Sequence, residues 1–205
     1  MHESTGGYEI KNIRQVAAFD IDRRKVGHPL HKAGFSKPNC TTIFEKTLPD
    51  FDVIVQMSPV LDGFPEHMHN YPEEQASQPG ECEPVDVAEA LVRAEAQILL
   101  CYLPVGAEQA VKHYADACLE AGVAMVNCVP VFIASDPNYA ERFRERGLPI
   151  IGDDIKSQCD NMKMCAFSTG NSPTIAPSCG RPSPMIREHG RLNTQEVTMV
   201  FALFR

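Results

Sequence analysis

The chain has 205 residues, 43% of them hydrophobic and 22% charged, which is enough for one ordinary globular domain with a core. Its formal net charge of −8 argues against general nucleic-acid binding, which needs a basic face. No apolar run approaches the roughly 18 residues of a membrane span, and the polar opening Met1–Gly7 lacks the basic-then-apolar order of a signal peptide.

Taken in chain order, Val16-Ala17-Ala18-Phe19-Asp20 is a compact apolar run ending in a carboxylate, and Phe51–Gln56 is a second strand candidate. Glu83–Ala96 places Val85, Val87, Ala88, Leu91 and Val92 at helical spacing, with Pro84 suited to a first turn. Ile98–Tyr102 is a strand run followed by the loop Leu103–Gly106. Ala107–Ala121 is an amphipathic helix ended by Gly122, and Val123–Asn127 is the next strand. Asp136–Arg146 reads as a helix ended by Gly147, with Ser135-Asp136-Pro137 as its cap. Ile150–Ile151 is the last strand of the series. Alternating strands and helices, with continuously apolar strands, predict an α/β fold whose parallel sheet is covered on both faces.

The chain changes character near residue 158. Residues 1–158 carry 14 Lys+Arg against 24 Asp+Glu, a formal −10, and residues 159–205 carry 5 against 3, a formal +2. Pro173, Pro177, Pro182 and Pro184 stand there among Ser, Thr and Gly, with little apolar surface to offset the entropy of ordering. Two regions are therefore expected: 1–158 as an α/β domain, and 159–205 as a disordered or poorly specified tail. Glu196–Phe204 could form one short strand or helix within it, without an evident partner.

Between these regions lies Gly152-Asp153-Asp154-Ile155-Lys156-Ser157-Gln158. It follows a strand, so its side chains stand at the carboxyl edge of the sheet, where open α/β folds bind ligands. Lys156 beside two aspartates is a positioned cation, fit to meet a phosphate or a developing oxyanion. The plainer reading is a helix N-terminus capped by Asp153 or Asp154, with Lys156 in solvent. Asp20 is equally two-sided. A carboxylate ending the second strand of a dinucleotide fold accepts hydrogen bonds from the adenosine ribose, whereas an N-cap needs only the following turn. The G-x-G-x-x-G loop expected upstream of such a carboxylate is absent, and only Gly6-Gly7 precedes it. His67-x-His69 lies in a polar loop and reads as solvated, and the eight cysteines show no paired C-x-x-C spacing. No metal site is expected, and the cysteines are expected to be free thiols of a cytoplasmic protein.

Residues 8–158 resemble the bacterial and archaeal type of inositol-3-phosphate synthase (myo-inositol-1-phosphate synthase). The resemblance is carried by Val16-Ala-Ala-Phe-Asp-Ile-Asp22, Val60-Leu-Asp-Gly63, Tyr102-Leu-Pro-Val-Gly106, and Phe132-Ile-Ala-Ser-Asp-Pro137 followed by Gly152–Gln158. Each piece is short, but the last two together and in this order are highly specific. The resemblance implies a Rossmann-like parallel sheet that lacks the first strand and glycine-rich loop with which the family begins. It is lost after Gln158, where the family continues into its catalytic and oligomerising region. Such a loss within a helix is what a frameshift, a missed intron or a fragmentary gene model leaves.

The resemblance also implies chemistry. The family converts glucose 6-phosphate to 1D-myo-inositol 3-phosphate, a step of inositol and phospholipid biosynthesis. Bound NAD oxidises C5 of the sugar, the enolate formed by loss of the C6 proton attacks C1, and the NADH reduces the remaining ketone. Each step develops negative charge on oxygen, so cationic side chains in a closed site are required. By resemblance, Lys156 stabilises oxyanion or enolate, and Asp154 and Asp153 orient Lys156 or lie near the nicotinamide ribose. Ser157 lies close to the cofactor, Tyr102 and Leu103 follow the strand end along which the dinucleotide runs, and Asp20 and Asp22 hold the adenosine ribose. Tyr114 is a weaker cofactor candidate and more simply a packing residue. Full-length relatives are homo-oligomers acting without membrane or nucleic-acid partners. The competing readings are a truncated, non-catalytic chain of that family and another Rossmann-type NAD-dependent oxidoreductase.

Overall fold

The computed structural model describes residues 4–5, 8–37, 43, 45–64, 66–72, 77–153 and 199–204. Its centre is a six-stranded sheet. Strands β1 (Ser4–Thr5) and β2 (Tyr8–Glu9) form a separate small hairpin. The main sheet comprises β3 (Arg14–Asp20), β4 (Val55–Met57), β5 (Ile98–Tyr102), β6 (Ala124–Asn127), β7 (Ile150–Ile151) and β8 (Met199–Phe204). Across the sheet the order is β4-β3-β8-β5-β6-β7. The pairs β3–β4, β5–β6 and β6–β7 are parallel, whereas β8 runs antiparallel to both of its neighbours.

Helices α1 (Leu30–Ala33), α2 (Val87–Arg93), α3 (Glu108–Ala121) and α4 (Pro137–Glu145) lie between the strands in sequence. Helix α2 begins later than the apolar spacing suggests, because the Asp86 side chain accepts the Glu89 N–H and sets the first turn there. Helix α3 ends at Gly122, whose φ of 74° is the left-handed geometry of a C-terminal cap. Asp136 accepts from Asn138 and Tyr139, and Pro137 opens α4. The strand read over Phe51–Gln56 is shorter and later in the fold, with Val53 and Phe51 packing ahead of β4 instead of joining the ladder.

The main core lies between one face of the sheet and helices α2, α3 and α4. Ala17 and Phe19 of β3, Leu99 and Cys101 of β5, and Met125 of β6 meet Leu91, Val111, Tyr114, Cys118 and Phe143 there. Ala18, on the other face of β3, packs with Leu30, Ala33, Val53 and Val55 in a second cluster. Cover on both faces therefore holds at β3. At β5 and β7 it is incomplete among the described residues, where Ile98 and Ile151 are exposed. The four-residue α1 is too short to reach across the whole second face.

The tail expected over 159–205 lies outside the described residues as far as residue 198, as does the boundary at 158. Its last segment does have a partner, and in fact two. Residues Met199–Phe204 sit in the middle of the sheet as β8. No helix of the described residues is long and apolar enough to cross a membrane. Among the described cysteines, Cys101, Cys118 and Cys128 are buried and Cys82 is exposed.

Candidate functional site

Burying polar groups is costly unless each finds a partner, so where they gather is informative. The buried polar side chains of the described residues are Asp20, Asp22, Ser58, Asn127 and Asp153. Every one stands at the carboxyl end of a parallel strand. Asp20 ends β3 and Asp22 follows it, Ser58 follows β4, Asn127 ends β6, and Asp153 follows β7. They trace one edge of the sheet, the edge at which doubly wound folds bind ligands.

At one end of this edge, Asp20 Oδ1 accepts the backbone N–H groups of Ile21 (2.7 Å) and Asp22 (2.8 Å). Its Oδ2 accepts from Lys25 Nζ at 2.9 Å. Burial pushes the Asp20 carboxyl above its ordinary value, and the Lys25 ammonium and backbone donors only partly offset this. Asp22 is held by Arg24, whose Nε and NH2 reach Oδ1 (2.9 Å) and Oδ2 (2.7 Å) in a two-pronged pair. Neither aspartate is the cap of a regular helix, since residues 23–27 form turns. Most of the acceptor capacity of both carboxylates is already engaged within the turn.

At the other end, Asp153 meets neutral donors. Its Oδ1 accepts from Asn127 Nδ2 (2.8 Å) and Ala134 N (3.1 Å), and its Oδ2 from Ile133 N and Ser135 N, both 3.1 Å. Burial opposes its ionisation, but these hydrogen bonds from Asn127, Ala134, Ser135 and Ile133 outweigh it and hold the carboxyl below its ordinary value. Asn127 also donates to Val131 O at 2.7 Å and accepts from Val129 N at 3.2 Å. Gly152 makes this approach possible, because a Cβ there would stand 3.0 Å from Asn127 Cβ and 3.1 Å from its carbonyl oxygen. The blocks Phe132–Pro137 and Gly152-Asp153, far apart in sequence, are thus bound to each other through one carboxylate.

Between these ends, Tyr102 closes β5 and is half-buried, while Leu103 packs against the main core. Tyr114 lies deeper. It is 2% exposed, with its ring 6.1 Å from that of Phe19. Burial pushes its phenol well above the ordinary value, tempered by the neighbouring Ser58 hydroxyl. The Tyr114 hydroxyl makes no hydrogen bond of normal geometry among the described residues. Asp154, Lys156 and Ser157 lie outside the described residues, so no geometry is given to them.

Four participants escaped the sequence reading: Asn127, Ser58, Lys25 and Asp62. Asn127 carries the same signal that singled out Asp20, a polar residue closing an apolar strand. Asp62, in the Val60–Gly63 block, accepts from Gln109 N (2.7 Å) and Ala110 N (2.9 Å) at the first turn of α3. Ala107, the residue in capping position, has no side-chain acceptor of its own.

Whether these residues fit a dinucleotide can be judged from the sheet. Such folds set the pyrophosphate at the turn between the central parallel strand and the helix after it. That central position, between β3 and β5, is taken by β8 in the opposite direction. Strand β8 brings its first residue, Met199, to the edge beside Tyr102, instead of a strand end leading into a helix. Among the described residues the strand-end carboxylates Asp20 and Asp22 are present, but a pyrophosphate cradle is not. No cluster able to hold a metal ion occurs among the described residues.

Comparison with known proteins agrees with the family-like blocks. The chain is 48% identical over 158 residues to the inositol-3-phosphate synthase of Mycolicibacterium smegmatis and 47% identical to that of Corynebacterium glutamicum. Each match covers 77% of this chain and 42% of the relative. The chain therefore spans about two fifths of the length of the curated relatives it matches. Among solved structures it is similar to the crystal structure of Ari2, with a TM-score of 0.60 and 29% identity, covering 82% of this chain and 48% of that one. No family model matches.

Proposed function

We propose that this chain is of the inositol-3-phosphate synthase family, to whose members it is similar over 77% of its length, and that its carboxyl sheet edge is the cofactor-side wall of that family's site. The reaction served is the NAD-dependent cyclisation of glucose 6-phosphate to 1D-myo-inositol 3-phosphate. The observation that carries the reading is the confinement of all the described buried polar residues to one edge, with the two family-like blocks joined there by Asp153.

In this reading Asp153 positions and does not catalyse. Its oxygens are engaged by Asn127 and the 133–135 backbone, so it anchors the chain that leads on to Asp154, Lys156 and Ser157. Lys156 supplies the positive charge facing a developing oxyanion, Asp154 orients it, and Ser157 lies beside the cofactor. Asp20 and Asp22 stand on the adenosine side, with Tyr102 and Leu103 between them and Asp153. Tyr114 supports this edge from below through its contact with Phe19. Each part is tested by transplanting residues 8–158 into the matched stretch of the Mycolicibacterium smegmatis relative. The chimera is expected to convert glucose 6-phosphate in the presence of NAD and to lose turnover on Lys156→Ala. A folded chimera without turnover overturns the reading.

A second reading, a non-catalytic chain of the same family, is favoured by the antiparallel course of β8 through the phosphate-loop position. It expects the 205-residue chain itself to give no NAD-dependent thermal shift and no turnover. Saturable binding at micromolar NAD, with turnover, excludes this second reading.

A further inference from the structure

The two halves of the sheet, β4-β3 and β5-β6-β7, share no ladder with each other among the described residues. Among the described residues their ladders are linked only through β8. Without it, β3 and β5 would face each other across a gap one strand wide, each with a row of unpaired N–H and C=O groups inside the protein.

The segment that fills the gap suits it. Met199-Val-Phe-Ala-Leu-Phe204 contains no Pro, Gly or charge and is rich in residues that favour strands. It pairs with β3 from Arg14↔Phe204 to Phe19↔Val200, and with β5 from Ile98↔Leu203 to Tyr102↔Met199. Ala202, fully buried, stands opposite Ala17 on one side and Leu99 on the other, and both of these are buried as well. A backbone ladder can be completed by a strand of either direction. What the gap selects is an extended apolar segment with a small residue at its centre, whichever way that segment runs.

We propose that the gap between β3 and β5 is a strand-binding site whose ligand is an extended apolar peptide, and that the chain's own residues Met199–Phe204 occupy it in cis. The position that doubly wound folds give to a parallel first strand is here an acceptor groove, closed by a donor strand from the far end of the chain. This assignment stands on strand pairing alone and does not depend on the cofactor reading.

The test uses the full chain. Val200 is paired with Cys101 across the ladder, and directly opposed residues of antiparallel strands have Cα separations that a disulfide can bridge. Val200→Cys under mild oxidation is expected to give an intramolecular disulfide to Cys101, mapped by peptide mass spectrometry. Its thermal midpoint should rise by several degrees, reversibly on reduction. The same substitution with Cys101→Ser should show neither effect. A second arm places a carboxylate in the groove by Ala202→Asp. The 199–204 amides should then lose hydrogen-exchange protection, and a synthetic peptide of residues 196–205 should bind the variant and restore its thermal midpoint. Failure of the thiol at position 200 to join Cys101 in folded protein overturns the assignment. A Cys101 link formed only between two chains overturns occupancy in cis. Should Ala202→Asp prevent folding altogether, the cross-linking arm still decides.

Discussion

Asp20 and Asp153 lie at opposite ends of one sheet edge, both buried, and they are stabilised by different means. Asp20 faces a cation, Lys25, at 2.9 Å, and burial still lifts its pKa. Asp153 collects one amide and three backbone N–H groups, and its pKa falls. An ammonium must itself be taken out of water before it can repay the burial of a carboxylate. Backbone N–H groups carry no net charge to desolvate and are already fixed in direction by the fold. The Asp153 carboxyl is also less deeply buried than that of Asp20, so its four donors have a smaller desolvation penalty to offset, whereas Lys25 and the two backbone N–H groups at Asp20 do not offset theirs.

The contrast can be broken most severely at Asp153. Asp153→Ala leaves Asn127 and the three N–H groups of 133–135 without their acceptor, at an expected cost of about 3–5 kcal/mol. Urea unfolding measures it, and Asp153→Asn, which keeps one accepting oxygen, should lie between the two proteins. Next in size is Lys25→Met, which strands a buried carboxylate and should cost about 3 kcal/mol at neutral pH. Combining it with Asp20→Asn should recover much of that loss, because the amide oxygen still accepts from Ile21 and Asp22. A double-mutant cycle that showed no coupling would mean that Lys25 does not sense the Asp20 charge.

The pH dependence sharpens the same comparison, since the two groups act with opposite sign. The Asp153 pKa is depressed in the folded state, so its contribution is present above the unfolded value and is lost as pH falls through the folded value. The Asp20 pKa is raised, so its contribution is present below the unfolded value and is lost as pH rises through the folded one. Asp153→Asn should therefore flatten the acid limb of thermal midpoint against pH, and Asp20→Asn should leave that limb steep while reducing the loss on its upper side. The smallest effects are expected at the helix caps. Asp136→Ala and Asp62→Ala should each cost about 1 kcal/mol. Only Asp62→Ala should speed hydrogen exchange in the 58–64 loop, since Asp62 reaches α3 from outside that helix.

Much of this edge was legible before any coordinates. An apolar run ends on Asp20 with a charge, and another ends on Asn127 with the same pattern but no charge. The helix that begins at Asp136 and the one that ends at Gly122 follow from local capping chemistry, which acts within a few residues. The role of Asp153 was not legible. As the first carboxylate of Gly-Asp-Asp-x-Lys it resembled a cap or a cofactor contact. Its actual donors lie 18 to 26 residues earlier in the chain. The buried place of Tyr114 was half visible, in the helical spacing of α3 but not in the contact with Phe19.

By itself, the order of residues determined the alternation of strands and helices, the family likeness of residues 8–158, and the edge on which polar side chains would gather. Those properties rest on hydrophobic period, caps and strand ends, all local in the chain. Only the tertiary structure decided what stands at the centre of the sheet. Residues Met199–Phe204 read as a strand or a helix with no evident partner, because a ladder's direction and neighbours depend on segments far away in sequence. The gap between β3 and β5 supplied those neighbours. Its unpaired backbone groups and apolar flanks fit the segment in the antiparallel sense, and that one choice separates this sheet from the all-parallel one that the local pattern implied.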